Sequence, residues 1–306
     1  MNVKTRVRAG AAFGAAALGL GIIAPVAAAD PGTPTDYRVL AGVGSDTTQD
    51  VLNGLGEFVD NGSTIASYDA TGSATIKTRA VNCSIPRPNG SSAGITALNA
   101  AIDGSTGCID FARSSRGPAA AGTDLTWIPF AQDKVTVAVR QDSALNNNLN
   151  LTTAQLKSIF ECTTTQLNGV ALTPLLPQAG SGTLSYFLGA IGNPTVGSCV
   201  GTMQEHNGAE LDSAGDIAPY SVSQYNAQVG GVVPDRHGNT VLGKVNGGQF
   251  SRDVYNVVPT AKLSNPTIDA TFTGADSKVC AETDVIEAYG FTLAPNCGAT
   301  TLKGER

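Results

Sequence analysis

Apolar runs of strand length alternate along this chain with longer segments in which apolar positions recur at helical spacing. Strands are predicted near Arg38 to Val43, Ile65 to Tyr68, Cys108 to Phe111, Trp127 to Phe130, Val135 to Val139, Ile217 to Pro219 and Val254 to Val258. Helices are predicted from Thr47 to Phe58, Ser92 to Ile102, Thr153 to Phe160, Thr183 to Ile191 and Asp284 to Tyr289. Strands interleaved with helices make the class α/β. Thr152 and Gln155 form a T-x-x-Q capping box, which fixes the start of the third helix. Gly, Asn and Ser cluster at 142 to 150 and 192 to 201, where loops are expected.

The N-terminus departs from this alternation. Lys4, Arg6 and Arg8 precede an apolar stretch from Ala9 to Val26, followed by Ala27-Ala28-Ala29, the pattern of a secretory signal peptide over residues 1–29. No Cys follows the cleavage position, so no lipid anchor is expected and the chain is expected to be secreted or periplasmic. Removing 29 of the 306 residues leaves 277, near the practical limit of one core, so two lobes are expected.

Six cysteines in an exported chain fit three disulfides, with 15 pairings open. Sequential pairs each close a modest loop: Cys83 with Cys108, Cys162 with Cys199, Cys280 with Cys297. None sits in a C-x-x-C, which argues against zinc and dithiol redox chemistry. Three of the 19 Lys and Arg lie in the signal segment, leaving 16 against 25 Asp and Glu, a net charge of about −9. That surface argues against general nucleic-acid binding, which rests on phosphate neutralisation. It leaves room for a small-anion site, because aimed N–H groups act locally and net charge is screened beyond roughly 8 Å.

Residues 90 to 98 read GSSAGITAL and 180 to 188 read GSGTLSYFL, a Gly/Ser cluster twice placed before an apolar helical run. Ser at a helix start satisfies orphan N–H groups. The same N–H groups and the helix dipole also bind phosphate, sulfate or carboxylate. Capping and ligand binding are both open readings. Gly90 to Gly94 further matches G-x-S-x-G, the nucleophile elbow of α/β-hydrolases, with Ser92 as nucleophile. Pro86 and Pro88 before it make a poor central strand, and only His206 and His237 are available as base.

The motifs come as an ordered set. GVGSDTT from Gly42 follows a strand and opens a helix, GSSAGITAL opens another, IDFARSSR from Ile109 ends a strand, and GSGTLSYF opens a third helix. Four such turns converge naturally on one cleft. Together with WIPFAQDKVTVAV, LTTAQLKSIFEC, HNGAEL and DIAPYSVSQY, they resemble the substrate-binding proteins of phosphate ABC transporters over nearly the whole chain after the signal segment.

That resemblance implies a two-lobed, hinged type II periplasmic-binding-protein fold, with residues 37–128 plus 249–306 in one lobe and 129–248 in the other. It implies binding of inorganic phosphate or a related oxyanion and delivery to an ABC permease. The implied protein is a monomer and not an enzyme, with no cofactor, metal or nucleic acid. By position the ligand contacts fall at Asp46, Thr47, Ser91, Ser92, Ser115, Ser181, Gly182 and Thr183. The family has Thr at the position of Asp46, Asp at that of Ser115, and Arg at that of Pro177. Arg87, Arg113 and Arg116 are the candidates to replace the missing guanidinium. Asp46 either accepts the P–O–H of hydrogen phosphate or caps the following helix with Gln49 in a D-x-x-Q box. The competing functions are a secreted phosphatase or a serine esterase through Ser92, and a binding protein for a different anion or a glycan. Trp127, Tyr220 and Tyr225 read as packing residues.

Overall fold

The computed structural model describes residues 30–31 and 37–305; the expected signal peptide lies outside the described residues. The elements that position the site run in this order: β1 (Leu40–Gly44), α1 (Gln49–Phe58), β2 (Ile65–Ser67), α2 (Ser91–Asp103), β3 (Phe111–Ser114), β4 (Leu125–Arg140), α3 (Thr153–Phe160), β5 (Thr173–Pro177), α4 (Gly182–Ala190), β6 (Gly201–Met203), β7 (Asp216–Ser221), α5 (Val222–Val229) and β8 (Phe250–Pro259). Helices Pro266–Phe272 and Thr283–Ala288 follow.

Among the described residues these strands join one eleven-stranded sheet, ordered β6-β5-β7-β4-β8-β3-β1-β2 with three short strands added along β4. Pairing is parallel within each flank, β1 with β2 and β3 on one side and β5 with β6 and β7 on the other. The centre is antiparallel. β4 and β8 pair from Leu125↔Pro259 to Val135↔Phe250, with a register shift between Val254 and Tyr255. The residues read as two strands, Trp127 to Phe130 and Val135 to Val139, are therefore one, because Ala131 to Lys134 continue the ladder.

Burial divides around this pair of strands. One set of core residues draws on the chain between Leu40 and Ala131 and between Val254 and Cys297, packing α1 and α2 onto β1 and β3. The other draws on residues from Val135 to Val245 and packs α3 and α4 onto β4, β5 and β7. β4 gives its first half to one core and its second half to the other. Trp127 is buried in the first core, as its apolar bulk requires. Tyr220 is buried and donates to the carbonyl of His206 or to Gln228 Oε1, both at 2.7 Å.

Local chemistry fixes the element ends. Thr152 and Gln155 make the expected capping box, and α3 spans the predicted residues. Ser181 caps α4 by accepting from the Leu184 N–H, and Ser221 caps α5 by accepting from that of Gln224. Three disulfides join Cys83–Cys108, Cys162–Cys199 and Cys280–Cys297, the sequential pairing expected. The strand expected at Cys108 to Phe111 lies three residues further on, at Phe111–Ser114, because Cys108 is held by its disulfide outside the ladder. Among the described residues no helix is long and apolar enough to cross a membrane.

Candidate functional site

Four turns meet between the two cores: the one after β1, the start of α2, the end of β3 and the start of α4. Each ends on small hydroxyl residues, and Thr47, Ser91, Ser115, Ser181 and Thr183 are all completely buried. Thr47 Oγ1 lies 3.1 Å from Thr183 Oγ1 and 3.3 Å from Ser115 Oγ. Ser91 Oγ lies 3.4 Å from Ser115 Oγ and accepts the Ser115 N–H at 3.0 Å. Residues 136 positions apart thus form one hydroxyl cluster.

The two Gly/Ser stretches themselves touch. The Ser92 N–H donates to the Gly180 carbonyl at 3.0 Å. Gly90 has φ +105°, and a Cβ there would stand 2.4 Å from that carbonyl oxygen, so only glycine allows the approach. Gly182, the first residue of α4, faces the cluster: a Cβ would lie 2.3 Å from both Ser91 Oγ and Ser115 Oγ. The glycines bring the turns together and the hydroxyls fill the space between them.

The cluster's cation comes from β8. Arg252 Nη2 donates to Thr183 Oγ1 at 3.0 Å and reaches Thr47 Oγ1 at 3.5 Å, while Nη1 donates to the Ser115 carbonyl at 3.1 Å. Its charge is met by Asp133, whose Oδ2 accepts from Nη2 at 2.7 Å and Nε at 3.0 Å. Asp133 Oδ1 in turn accepts from Ser221 Oγ at 2.8 Å and the Ser223 N–H at 3.2 Å. The guanidinium expected near the S-G-T turn is therefore supplied by β8, and not from the position of Pro177 at the end of β5.

Behind α4, Ser181 Oγ donates to Glu205 Oε2 at 2.6 Å. Burial alone would raise the Glu205 carboxyl, but hydrogen bonds from His206 and Ser181 and the Arg252 charge outweigh it and hold the group at about 2. Asp46, also fully buried, is pushed up to about 6 by burial and by the charge of Glu205. Its Oδ2 accepts from Gln204 Nε2 at 2.7 Å, and Arg236 Nη2 stands 4.0 Å from Oδ1. Asp46 Oδ1 has no hydrogen-bond partner. The D-x-x-Q capping box is not formed: Thr48 occupies the N-cap, and Gln49 Oε1 accepts the Ala70 N–H instead.

The other candidates lie apart from the cluster. Arg87 pairs with Asp30 and donates to the Ser73 and Asp69 carbonyls. Arg113 is buried against the Ser45 carbonyl and Ser67 Oγ. Arg116 Nη2 donates to Ser92 Oγ at 2.9 Å, one residue outside the cluster. Arg116 also lines a cleft of about 350 Å³ with Gly117, Pro118, Ala119, Ser185 and Tyr186, residues that follow the Ser115 and Thr183 turns. No elbow is assembled at Ser92. The strand before it, Ser84–Pro86, belongs to a separate two-stranded ribbon, His206 faces Thr47, and His237 pairs with Asp235.

Sequence reasoning missed Arg252, Asp133 and Glu205. Alternation along β8 carries a signal for the first, since Arg252, Val254 and Asn256 are buried in period two.

A family model described as a PBP superfamily domain matches residues 28–275. The chain belongs to the PBP superfamily. No curated protein matches it by sequence. Among solved structures it is similar to an ABC-type phosphate transport receptor from Vibrio cholerae, with 16% identity and TM-score 0.57 over 83% of this chain and 100% of the other. It is also similar to a phosphate-bound protein from Clostridium perfringens described as a putative phosphate ABC transporter substrate-binding protein, with 16% identity and TM-score 0.55 over 84% and 100%. OxyR from Corynebacterium glutamicum, bound to hydrogen peroxide, matches with 13% identity and TM-score 0.51 over 85% and 70%. At such identities the likeness is one of fold, and this PBP-superfamily chain has the two-lobed type II form. β4 and β8 are the two strands shared by its cores.

Proposed function

We propose that this protein binds inorganic phosphate or a related oxyanion between two lobes and delivers it to an ABC permease. The observation that carries the reading is the hydroxyl cluster of Thr47, Ser91, Ser115 and Thr183 at the N-termini of α2 and α4, with Arg252 bonded to Thr183 Oγ1 and within reach of Thr47 Oγ1. Hydroxyls, helix N–H groups and one guanidinium are the donors an oxyanion needs once its water is removed. The phosphate receptors it resembles in fold favour the same ligand.

In this reading residues 37–128 and 249–306 form one lobe and 129–248 the other. Thr47 and Thr183 then belong to opposite lobes, and their 3.1 Å contact leaves no space for an anion between them. Ligand entry parts the two turns by rotation about β4 and β8, and closure brings hydroxyls from both lobes onto the ligand. Asp46, with Oδ1 unpartnered and its carboxyl raised, is the acceptor for a ligand hydroxyl, which favours hydrogen phosphate over sulfate. Export through the N-terminal segment places binding outside the cytoplasm.

Isothermal titration of the ligand-stripped chain with phosphate, then sulfate, at neutral pH tests this. Phosphate heat with little response to sulfate is the expected result. Absence of heat with either anion, matched by no shift in thermal stability, overturns it.

A further inference from the structure

His206 lies outside the set of residues that the Gly/Ser motifs pick out, yet its carbonyl and its Nδ1 both have partners that hold it in place. Its backbone is left-handed, with φ +59°, a conformation that strains a residue carrying a Cβ by about 1–3 kcal/mol and that persists only where the surroundings enforce it. The enforcement is visible. The His206 carbonyl accepts from Tyr220 Oη at 2.7 Å and from Gln228 Nε2 at 2.9 Å. The ring is fully buried and packs edge-on against Tyr220, with centroids 5.5 Å apart.

The Ser221 N–H donates to His206 Nδ1 at 3.3 Å. An N–H aimed at Nδ1 leaves no room for a hydrogen there, so the ring carries its hydrogen on Nε2. That atom points into the hydroxyl cluster: Thr47 Oγ1 is at 2.9 Å, Thr183 Oγ1 at 3.5 Å and Glu205 Oε2 at 3.4 Å. The nearest acceptor, Thr47 Oγ1, is also within reach of Arg252 and Ser115.

We infer that His206 is a ligand-binding residue whose Nε2–H donates to an oxyanion oxygen. This rests on the oxyanion reading above. In the closed site Thr47 Oγ1 takes the bond; an anion entering between Thr47 and Thr183 offers an oxygen in its place. The Nε2–H adds a donor to the ligand beside the Arg252 guanidinium, 2.9 Å from Thr47 Oγ1. The Ser221 bond and the Tyr220 contact hold the ring so that Nε2 faces the hydroxyl cluster.

The test uses the full secreted chain, phosphate as probe and three proteins: wild type, His206→Gln and His206→Leu. The Gln side chain can place an N–H near the position of Nε2, and Leu cannot. Phosphate affinity should fall roughly 10- to 100-fold in His206→Leu, the range for a hydrogen bond to a charged group, and by only a few-fold in His206→Gln. The imidazole Nε2–H resonance of wild type should move on phosphate addition while Nδ1 keeps its acceptor shift. A folded His206→Leu that binds like wild type, or an Nε2–H resonance that ignores saturating phosphate, overturns the inference and leaves the oxyanion reading standing. Wild type that binds no phosphate overturns both.

Discussion

Arg252 and Asp133 are register partners on the two long antiparallel strands, and their side chains form a salt bridge at 2.7 Å with 2% and 0% exposure. The pair sits where both cores share β4 and β8, so the guanidinium has two sets of partners: Asp133 on its own ladder, and the hydroxyls of Thr47 and Thr183. Removing Arg252 leaves a carboxylate buried without its cation, a change that destabilises by about 3–5 kcal/mol. Arg252→Met should therefore lower the unfolding free energy and abolish phosphate binding together. Adding Asp133→Asn should recover much of the stability and none of the binding, as read by denaturant unfolding beside calorimetric titration.

Gly182 makes a steric prediction that is independent of charge. Gly182→Ala puts a methyl 2.3 Å from two hydroxyl oxygens when the cleft is closed. The residue stands at the first position of α4, where Ala is a good helix former. Secondary structure should be unchanged, and the unliganded protein should no longer close onto the Thr47–Thr183 contact, read as a larger radius of gyration in solution scattering. A radius equal to that of wild type would mean that the Ser91 and Ser115 side chains give way to the methyl.

Ser91 and Ser92 separate the binding reading from the hydrolase. Ser91 Oγ belongs to the cluster and Ser92 Oγ is engaged by Arg116. Ser91→Ala should weaken phosphate binding several-fold, and Ser92→Ala should leave it within about twofold. Neither protein should turn over p-nitrophenyl acetate or phosphate. Turnover lost in Ser92→Ala would restore the esterase.

Asp46 sets a pH dependence. Its carboxyl is raised by burial and by Glu205 from the ordinary 3.8 to about 6, so the folded state holds the proton more tightly than the unfolded. Stability from this group is fully present below pH 3.8 and is lost as pH rises through 6. Asp46→Asn should thus be more stable than wild type at pH 7, by about 1–3 kcal/mol given that raising a carboxyl by one pH unit is worth about 1.4 kcal/mol, and show little gain near pH 4. Thermal melts across that range decide it.

Cys162→Ser with Cys199→Ser opens a loop of 37 positions at one edge of the second core. The loss should be about 2–5 kcal/mol of unfolding free energy, with phosphate affinity little changed in the protein that remains folded. Denaturant unfolding and calorimetric titration of the double variant check both halves.

The sequence by itself determined the α/β class, most helix starts and the turns that carry the cluster's hydroxyls; the structure selected the sequential disulfide pairs from the 15 that six cysteines allow. The class, the helix starts and the turns are local or compositional: Thr152 and Gln155 need only each other to start α3, and a Gly/Ser turn before an apolar run needs no distant partner. Tertiary structure alone decided which charges attend the site. Arg252 meets Thr47 across 205 positions, and His206 meets it across 159. Alternation along β8 marks Arg252 as an inward position but not as a site residue in preference to Arg87, Arg113 or Arg116, since a guanidinium reads the same in any strand or loop. Its role follows from β8 pairing with β4 in the register that sets it beside Asp133, and that register is fixed by which residues two separate cores bury.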